Sequence, residues 1–478
     1  MSDTSNPSTN IKVIGLAVAG AVGGFLFGFD SSVVNGAVDA VEKDFDLLPA
    51  LVGLAVASAL IGCAVGAYFA GRLADRWGRI PAMLVGSVLF LASAIGAGLS
   101  IGVWDLVVWR VIGGLGIGIA SVIAPAYIAE ISPKQMRGRL ASLQQLAITI
   151  GIFAALLSDT LFANAAGTAD AKFWFGLEAW RWMFLAGAVP AVVYGLLAIA
   201  LPESPRFLVL KDRDDEVRKI FARIWPNDDA ERAIRDMRSA IEEDQQGNQK
   251  GALRGKAFGL KPIVWIGIIL SIFQQFVGIN VIFYYSTTLW KSVGFEESDS
   301  FMISVITSVT NIAVTFVAIA LVDRVGRRPI LLFGSAGMTL SLATMAIAFS
   351  QADTVDGAPS LPGAWGPIAL VAANVFVVSF GASWGPVVWV LLGEIFPTRI
   401  RARALGVAAA AQWLANFAIT VSFPPLAAFS LVFTYGMYAL FALLSFVFVM
   451  RVVPETNGMS LEEANTLLPP KGSAKAKR

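Results

Sequence analysis

Twelve long apolar stretches constrain this chain more than any other feature of its sequence. They lie near residues 12–36, 50–70, 81–100, 106–128, 140–163, 181–201, 262–285, 302–321, 329–349, 365–391, 404–425 and 431–452. Each approaches or exceeds the ~20 residues needed to cross a bilayer as a helix. Buried in lipid, a backbone must satisfy its own hydrogen bonds, so a chain with this pattern folds as a bundle of membrane-spanning helices. Only 15% of the 478 residues are charged, against ~25% in an ordinary soluble domain. The chain has no histidine and one cysteine, Cys63. That excludes an imidazole proton relay, a His or thiol metal site and an internal disulfide. No G-x-x-x-x-G-K-[ST] stretch is present, so ATP hydrolysis at a P-loop is excluded too. No cofactor, metal or nucleic-acid partner is expected, and any work must draw on an ion gradient. The polar start runs straight into a full-length span, which argues against a cleaved leader.

The placement of Lys and Arg sets the expected orientation. Basic residues crowd the connections 72–79, 134–139, 203–261, 324–328, 399–403 and 451–478, while the alternate connections carry Lys43, Lys172 and Lys291 amid acidic residues. Both termini are therefore expected in the cytoplasm of a multi-pass cell-membrane protein. A charged stretch, Glu203 to Lys261, divides the spans six and six. Within it 213–225 and 228–243 read as amphipathic helices, with Asp212 and Asp228 as N-caps. The expected organisation is a cytoplasmic N-terminus 1–11, a six-helix bundle 12–202, a helical linker 203–261, a second bundle 262–453 and a cytoplasmic tail 454–478.

The two halves repeat each other. Asp75-Arg76-Trp77-Gly78-Arg79 follows the second span and Asp323-Arg324-Val325-Gly326-Arg327 the eighth. Glu130 with Arg137 follows the fourth, and Glu394 with Arg401 follows the tenth at the same offsets. Pro202-Glu203-Ser204 follows the sixth, and Pro454-Glu455-Thr456 the twelfth. Three matched pairs in matched order imply parallel repeats with a ligand site between the halves. A solvated charge run is the usual reading of such clusters. Recurrence in both halves favours a cytoplasmic salt-bridge network instead, expected to clamp the halves in one state and break in another.

Polar residues inside the spans mark the candidate site. The seventh span carries Gln274, Gln275, Gly278, Asn280, Tyr284 and Tyr285. Each unmet amide in lipid costs several kcal/mol, so these face a polar cavity. Amides and hydroxyls that both donate and accept suit a neutral polyhydroxy ligand better than an ion. Gly278 can loosen the helix there. Gln145, Asn311 and Gln412 add amides in the fifth, eighth and eleventh spans; alone, each would read as interhelical glue. Trp389, with Gly381, Gly385 and Pro386 before it, and Phe27 offer apolar faces on which the C–H face of such a ligand could stack, though a membrane Trp also suits the interfacial belt. Tyr284 and Tyr285 read as an outer gate or as belt tyrosines. Asp30 in the first span and Arg110 in the fourth are intramembrane charges, which are expensive and usually paired. A carboxylate whose cationic partner comes and goes can load and release a proton; a static ion pair is the alternative.

The motifs Gly71-x-x-x-Asp75-Arg76-x-Gly78-Arg79, Pro202-Glu203-Ser204-Pro205-Arg206, Gln274-Gln275-x-x-Gly278-x-Asn280, Asp323-Arg324-x-Gly326-Arg327-Arg328 and Pro454-Glu455-Thr456 together resemble the sugar porter family of the major facilitator superfamily, over essentially the whole chain. Within it the chain is most similar to bacterial glucose and xylose proton symporters. Ile80 and Asn457 stand where the pattern has basic residues. The resemblance implies an all-α fold of two pseudo-symmetric six-helix bundles with cytoplasmic helices between and after them. It implies a monomer, not an enzyme, importing a monosaccharide with a proton by alternating access. It places Gln145, Gln274, Gln275, Asn280, Asn311 and Gln412 around the sugar, and it supports Asp30 as the proton carrier with Arg110 tuning it. A sugar uniporter, a pentose or inositol carrier and a membrane sugar sensor remain as alternatives; the short tail speaks against the sensor.

Overall fold

A computed structural model of the chain describes residues 7–132, 137–224, 230–247, 253, 255, 258–355, 358–396 and 400–456, apart from a few side chains within these segments. Among them, twelve helical stretches are long and apolar enough to cross a membrane. The first half comprises α1 (Pro7–Asp44), α2 (Pro49–Trp77), α3 (Arg79–Gly98), α4 (Val103–Ile131), α5 (Arg137–Ala166) and the pair α6 (Ala179–Ala186) and α7 (Ala188–Ala200), which together make the sixth span. Three short helices follow: α8 (Pro205–Leu210), α9 (Asp214–Ile224) and α10 (Ala230–Gly247). The second half comprises α11 (Pro262–Phe276), α12 (Ile279–Tyr284), α13 (Ser286–Ser292), α14 (Glu297–Val325), α15 (Arg327–Phe349), α16 (Trp365–Gly381), α17 (Trp384–Ile395), α18 (Arg401–Phe429) and α19 (Leu431–Val452). A short antiparallel pair, Asp353–Val355 with Ala358–Ser360, lies between α15 and α16.

The chain groups into two compact units. One is Met1–Glu243 with Phe283–Ile312 and Thr420–Pro425; the other is Asp244–Ile282, Ala313–Ile419 and Leu426–Arg478. In the first unit small residues let backbones touch. Gly24, Gly28, Ser32 and Gly36 recur every fourth residue of α1, and a Cβ on Gly28 would overlap the Ile148 carbonyl of α5. Gly62 and Gly66 of α2 meet the carbonyls of Val111 and Leu115 on α4 in the same way. Without a hydrophobic drive between helices in lipid, such close van der Waals contact is what holds them together.

Two spans break where polar residues cluster. The seventh splits at Val277–Gly278, where Gly278 takes φ +83° and its N–H donates to the Gln275 carbonyl at 2.9 Å. The tenth splits between α16 and α17 at Ala382–Ser383. Asp212 does not cap α9 as expected. It adopts φ +53° just after α8, and α9 begins at Asp214. The apolar run Phe207–Val209 explains this: it makes α8 a packed helix with a stop of its own, its side chains buried against Val217 and Ile234. Asp228 and the tail beyond Thr456, where the resemblance implies a helix, lie outside the described residues.

Each half carries the same charged corner. In the first, Gly78 ends α2 and starts α3 with φ +107°. Glu203 accepts the Arg79 and Ile80 backbone N–H groups at 2.9 and 3.2 Å, and Arg79 forks onto Glu130 at 2.7 and 2.9 Å. Asp75 sits 3.5 Å from Arg79 but is exposed. In the second half Gly326 repeats the turn with φ +97°, Glu455 accepts from Arg327 and Arg328 N–H at 3.0 Å each, and Arg327 forks onto Glu394 at 2.8 and 3.1 Å. A Cβ at Gly78 would run into the Glu203 carboxylate, so this glycine is required twice over, by its φ and by the close approach. The side chains of Arg137, Asp323 and Arg401 lie outside the described residues. These bonds tie helices of one half to each other, with the carboxylate seated on the N-terminus of the following helix, where the dipole favours negative charge. Glu203→Ala should therefore lower stability by about 1–3 kcal/mol, because it strands two N–H donors. Glu203→Gln, which keeps an acceptor, should cost less. Thermal unfolding in detergent reads both.

Candidate functional site

In the first unit α1 and α4 bring Asp30 and Arg110 together. Arg110 Nη1 donates to Asp30 Oδ1 at 2.8 Å, with both residues almost wholly buried. The surroundings are apolar: Val34, Val38, Val56, Leu106 and Phe184 line the space beside Arg110, and its guanidinium lies 5.8 Å from the Phe184 ring. One turn on from Arg110, Gly113 and Gly114 let α4 approach Ser93 of α3 and Ala59 of α2 closely.

Gln145 on α5 and Phe27 on α1 are half-buried in the same unit. Thr149, on the face of Gln145, turns its hydroxyl back to the Leu146 carbonyl at 2.9 Å. Asn311 is buried on α14 between Thr307 and Thr315, which are buried as well. Tyr284 and Tyr285 are both buried, unlike interfacial belt tyrosines. The Tyr285 hydroxyl donates to the Thr420 carbonyl at 2.9 Å and its ring lies 4.9 Å from Phe423.

The second unit gathers the other amides. Gln274 donates its Nε2 to the Trp384 and Gly385 carbonyls at 2.8 and 3.2 Å, holding α11 to the break between α16 and α17. Its Oε1 is buried and accepts no hydrogen bond. Trp384 is anchored in turn through its indole N–H to Ser335 Oγ at 2.9 Å. Asn280 Nδ2 donates to Gln275 Oε1 at 2.6 Å across the α11–α12 break. Gln412 on α18 also carries a buried Oε1 without a partner. Trp389 on α17 is 42% exposed, so its ring has a free face. Gln274 and Gln412 thus leave acceptors over after the fold's own bonds are made, as a hydroxyl-bearing ligand would require.

Sequence reasoning missed three features. The first is the clip over the outer end of α1. Asn35 accepts from the Thr287 N–H at 3.0 Å and Asp39 from the Thr288 hydroxyl at 2.6 Å. Lys291 sits between Asp39 at 2.8 Å and Glu297 at 3.1 Å. Burial opposes the Lys291 charge, but the two carboxylates outweigh it and hold its pKa above the usual value. A raised lysine stabilises the fold fully below its unfolded pKa, about 10.4, and the contribution is lost as pH rises through the folded value. Thermal unfolding should therefore show an alkaline loss of stability in the wild type that Lys291→Met lacks. The second is Asp159, buried on α5. The third is Trp384, whose carbonyl and indole organise the α16–α17 break. The G-x-x-x-G-x-x-x-S-x-x-x-G stripe of α1 was a signal for the α1–α5 contact that presents Asp159 to Gly36.

Residues 16–468 match the family model described as "Sugar (and other) transporter". The chain is 51% identical over 470 residues to a "Glucose transport protein" of Synechocystis sp., covering 97% of this chain and all of that one. It is 35% identical to the "D-xylose-proton symporter" of Escherichia coli, covering 96% of each. Among solved structures, the Escherichia coli xylose transporter XylE in a partially occluded inward open conformation matches with a TM-score of 0.81 at 32% identity, covering 94% of this chain and 99% of that one.

Proposed function

The chain belongs to the sugar transporter family of the major facilitator superfamily, and from that premise we propose that it imports a monosaccharide, a glucose-like hexose, together with a proton. The observation that carries the coupling is the buried Asp30–Arg110 pair at 2.8 Å. A pair this dry is retained only if both partners stay matched, since separating them leaves an uncompensated charge in an apolar pocket. Protonating Asp30 as Arg110 moves off removes the carboxylate's share of that penalty. Alternating access then links the proton to the movement of the helices. Gln145, Gln274, Gln275, Asn280, Asn311 and Gln412 supply hydrogen bonds to the sugar hydroxyls, with Trp389 and Phe27 as stacking faces and Tyr284 and Tyr285 as the outer gate. The charged corners at Arg79 and Arg327 brace the helix ends within each half. No covalent bond is made or broken and no cofactor is used beyond the gradient. The protein works as a monomer in the cell membrane with both termini and the 203–261 stretch in the cytoplasm, as the Lys and Arg placement supports.

Labelled-glucose uptake into liposomes carrying the purified protein tests this, with and without an imposed proton gradient. The gradient should drive accumulation, and a protonophore should abolish it. Asp30→Asn should lose accumulation by an order of magnitude or more while retaining counterflow. Equilibration of glucose without accumulation, unchanged by the gradient, by the protonophore and by Asp30→Asn, rules out coupling and leaves a uniporter. Competition by xylose and inositol fixes the substrate class.

A further inference from the structure

Among the described residues, one carboxylate within a span has no cation beside it. Asp159 of α5 is 0% exposed. Its Oδ2 accepts the Gly36 N–H of α1 at 3.2 Å, while Oδ1 is buried without a hydrogen-bond partner. Ser32, one turn earlier on the same stripe of α1, is fully buried with its hydroxyl unpartnered as well. The charged groups on the elements packed against α5, toward the ends of those elements nearest Gly36, are Asp30, Asp39, Glu42, Lys43 and Asp44 on α1, Asp105 and Arg110 on α4 and Arg181 on α6. The cations among them are already engaged: Lys43 by Asp170, Arg110 by Asp30, and Arg181 by Asp44 and Glu178. A bare carboxylate in such a place costs several kcal/mol, and taking up a proton is the ordinary escape.

Gly36, which touches Asp159 on one side, lines a polar cavity of about 220 Å³ with Asp39, Lys43, Asp170, Lys291 and Glu297. The cavity is roofed by α13 and the start of α14, held to α1 by the Asn35–Thr287, Asp39–Thr288 and Asp39–Lys291 bonds described above. Thr287 at its wall has a buried hydroxyl with no partner. The same turn of α1 that receives Asp159 is therefore the turn this clip covers, beside a space large enough for several waters.

We propose that Asp159 is a second proton-carrying site, distinct from Asp30, loaded and emptied through this cavity as the α13–α14 segment leaves and returns to α1. A hydronium ion in the cavity gives its proton to a carboxylate oxygen and becomes water; emptying is the reverse, and no other bond changes. Closure of the clip favours the neutral acid, and opening, which admits water, favours the carboxylate. The role in transport rests on the sugar–proton reading above; the proton site itself does not.

The full-length protein in liposomes, followed by infrared difference spectroscopy across a pH titration, tests the site directly. A carbonyl-stretch band of a protonated carboxylic acid should fade as pH rises. Asp159→Asn should lose that band, Asp30→Asn should keep it, and Asp159→Glu should shift it. Under an imposed gradient, protons moved per labelled glucose, read with a pH-sensitive dye, should fall in Asp159→Asn without reaching zero. A band that Asp159→Asn leaves in place, or one that stays constant at every pH where the protein remains folded, overturns the proposal; the second result makes Asp159 a fixed structural acid. If the wild type shows no glucose counterflow, the transport reading fails while the band still decides the proton site.

Discussion

Arg110→Leu should lower stability by about 3–5 kcal/mol, the usual cost of stranding one member of a buried ion pair. Asp30 would be left in a pocket whose other walls near Arg110 are Val34, Val38, Val56, Leu106 and Phe184. Leucine fills much of the volume, so the loss is electrostatic rather than a cavity effect. The double variant Asp30→Asn/Arg110→Leu should recover most of the loss, because no charge remains to be buried. Thermal unfolding in detergent measures both, and liposome uptake should show the single variant unable to accumulate sugar. A single variant as stable as the wild type would mean that Asp30 is not held by Arg110, and the coupling scheme would lose its footing.

Gly278→Ala should cost about 2–5 kcal/mol, in two separable parts. The φ of +83° charges any L side chain about 1–2 kcal/mol. The new Cβ would also stand 2.7 Å from Tyr438 Cδ2, an overlap of the kind that costs about 1–3 kcal/mol. Tyr438→Ala in the same background should relieve the second part and leave the first. The functional loss should exceed the loss of stability, since the α11–α12 break sets the Asn280–Gln275 bond. Sugar counterflow compared with the melting temperature separates the two. Equal stability of Gly278→Ala and the wild type would show that the break does not need the glycine.

The fold could be read in the sequence because lipid leaves so few choices. Twelve apolar runs had to become helices, and the matched Asp-Arg, Glu and Pro-Glu motifs carry the repeat into space: Gly78 and Gly326 make the same turn, and Glu203 and Glu455 sit on it in the same way. The Asp30–Arg110 contact could be anticipated because two intramembrane charges of opposite sign have few other places to go. What stayed hidden depends on three-dimensional neighbours. Nothing in the run Gln274-Gln275 says that one amide is spent on the Trp384 and Gly385 carbonyls and the other on Asn280. Asp159 reads as an ordinary residue near a helix end until Gly36 is found against it. The break at Ser383 is signalled by Gly381, Gly385 and Pro386, but its indole anchor at Ser335 is not.

The way Gln274 is held has a stereochemical corollary. With its amide nitrogen committed to two main-chain oxygens, the side chain cannot rotate to exchange roles, and only its carbonyl is left to offer. Whatever hydroxyl docks against it must present a hydrogen. Fluorine or a methyl ether at that one carbon of the sugar would be refused, by roughly 1–3 kcal/mol for the unmet acceptor, whereas the same replacement opposite a freely turning amide would be forgiven. On the proposed function, a panel of singly blocked sugars should show one carbon at which blocking is refused, and Gln274→Glu should change that pattern.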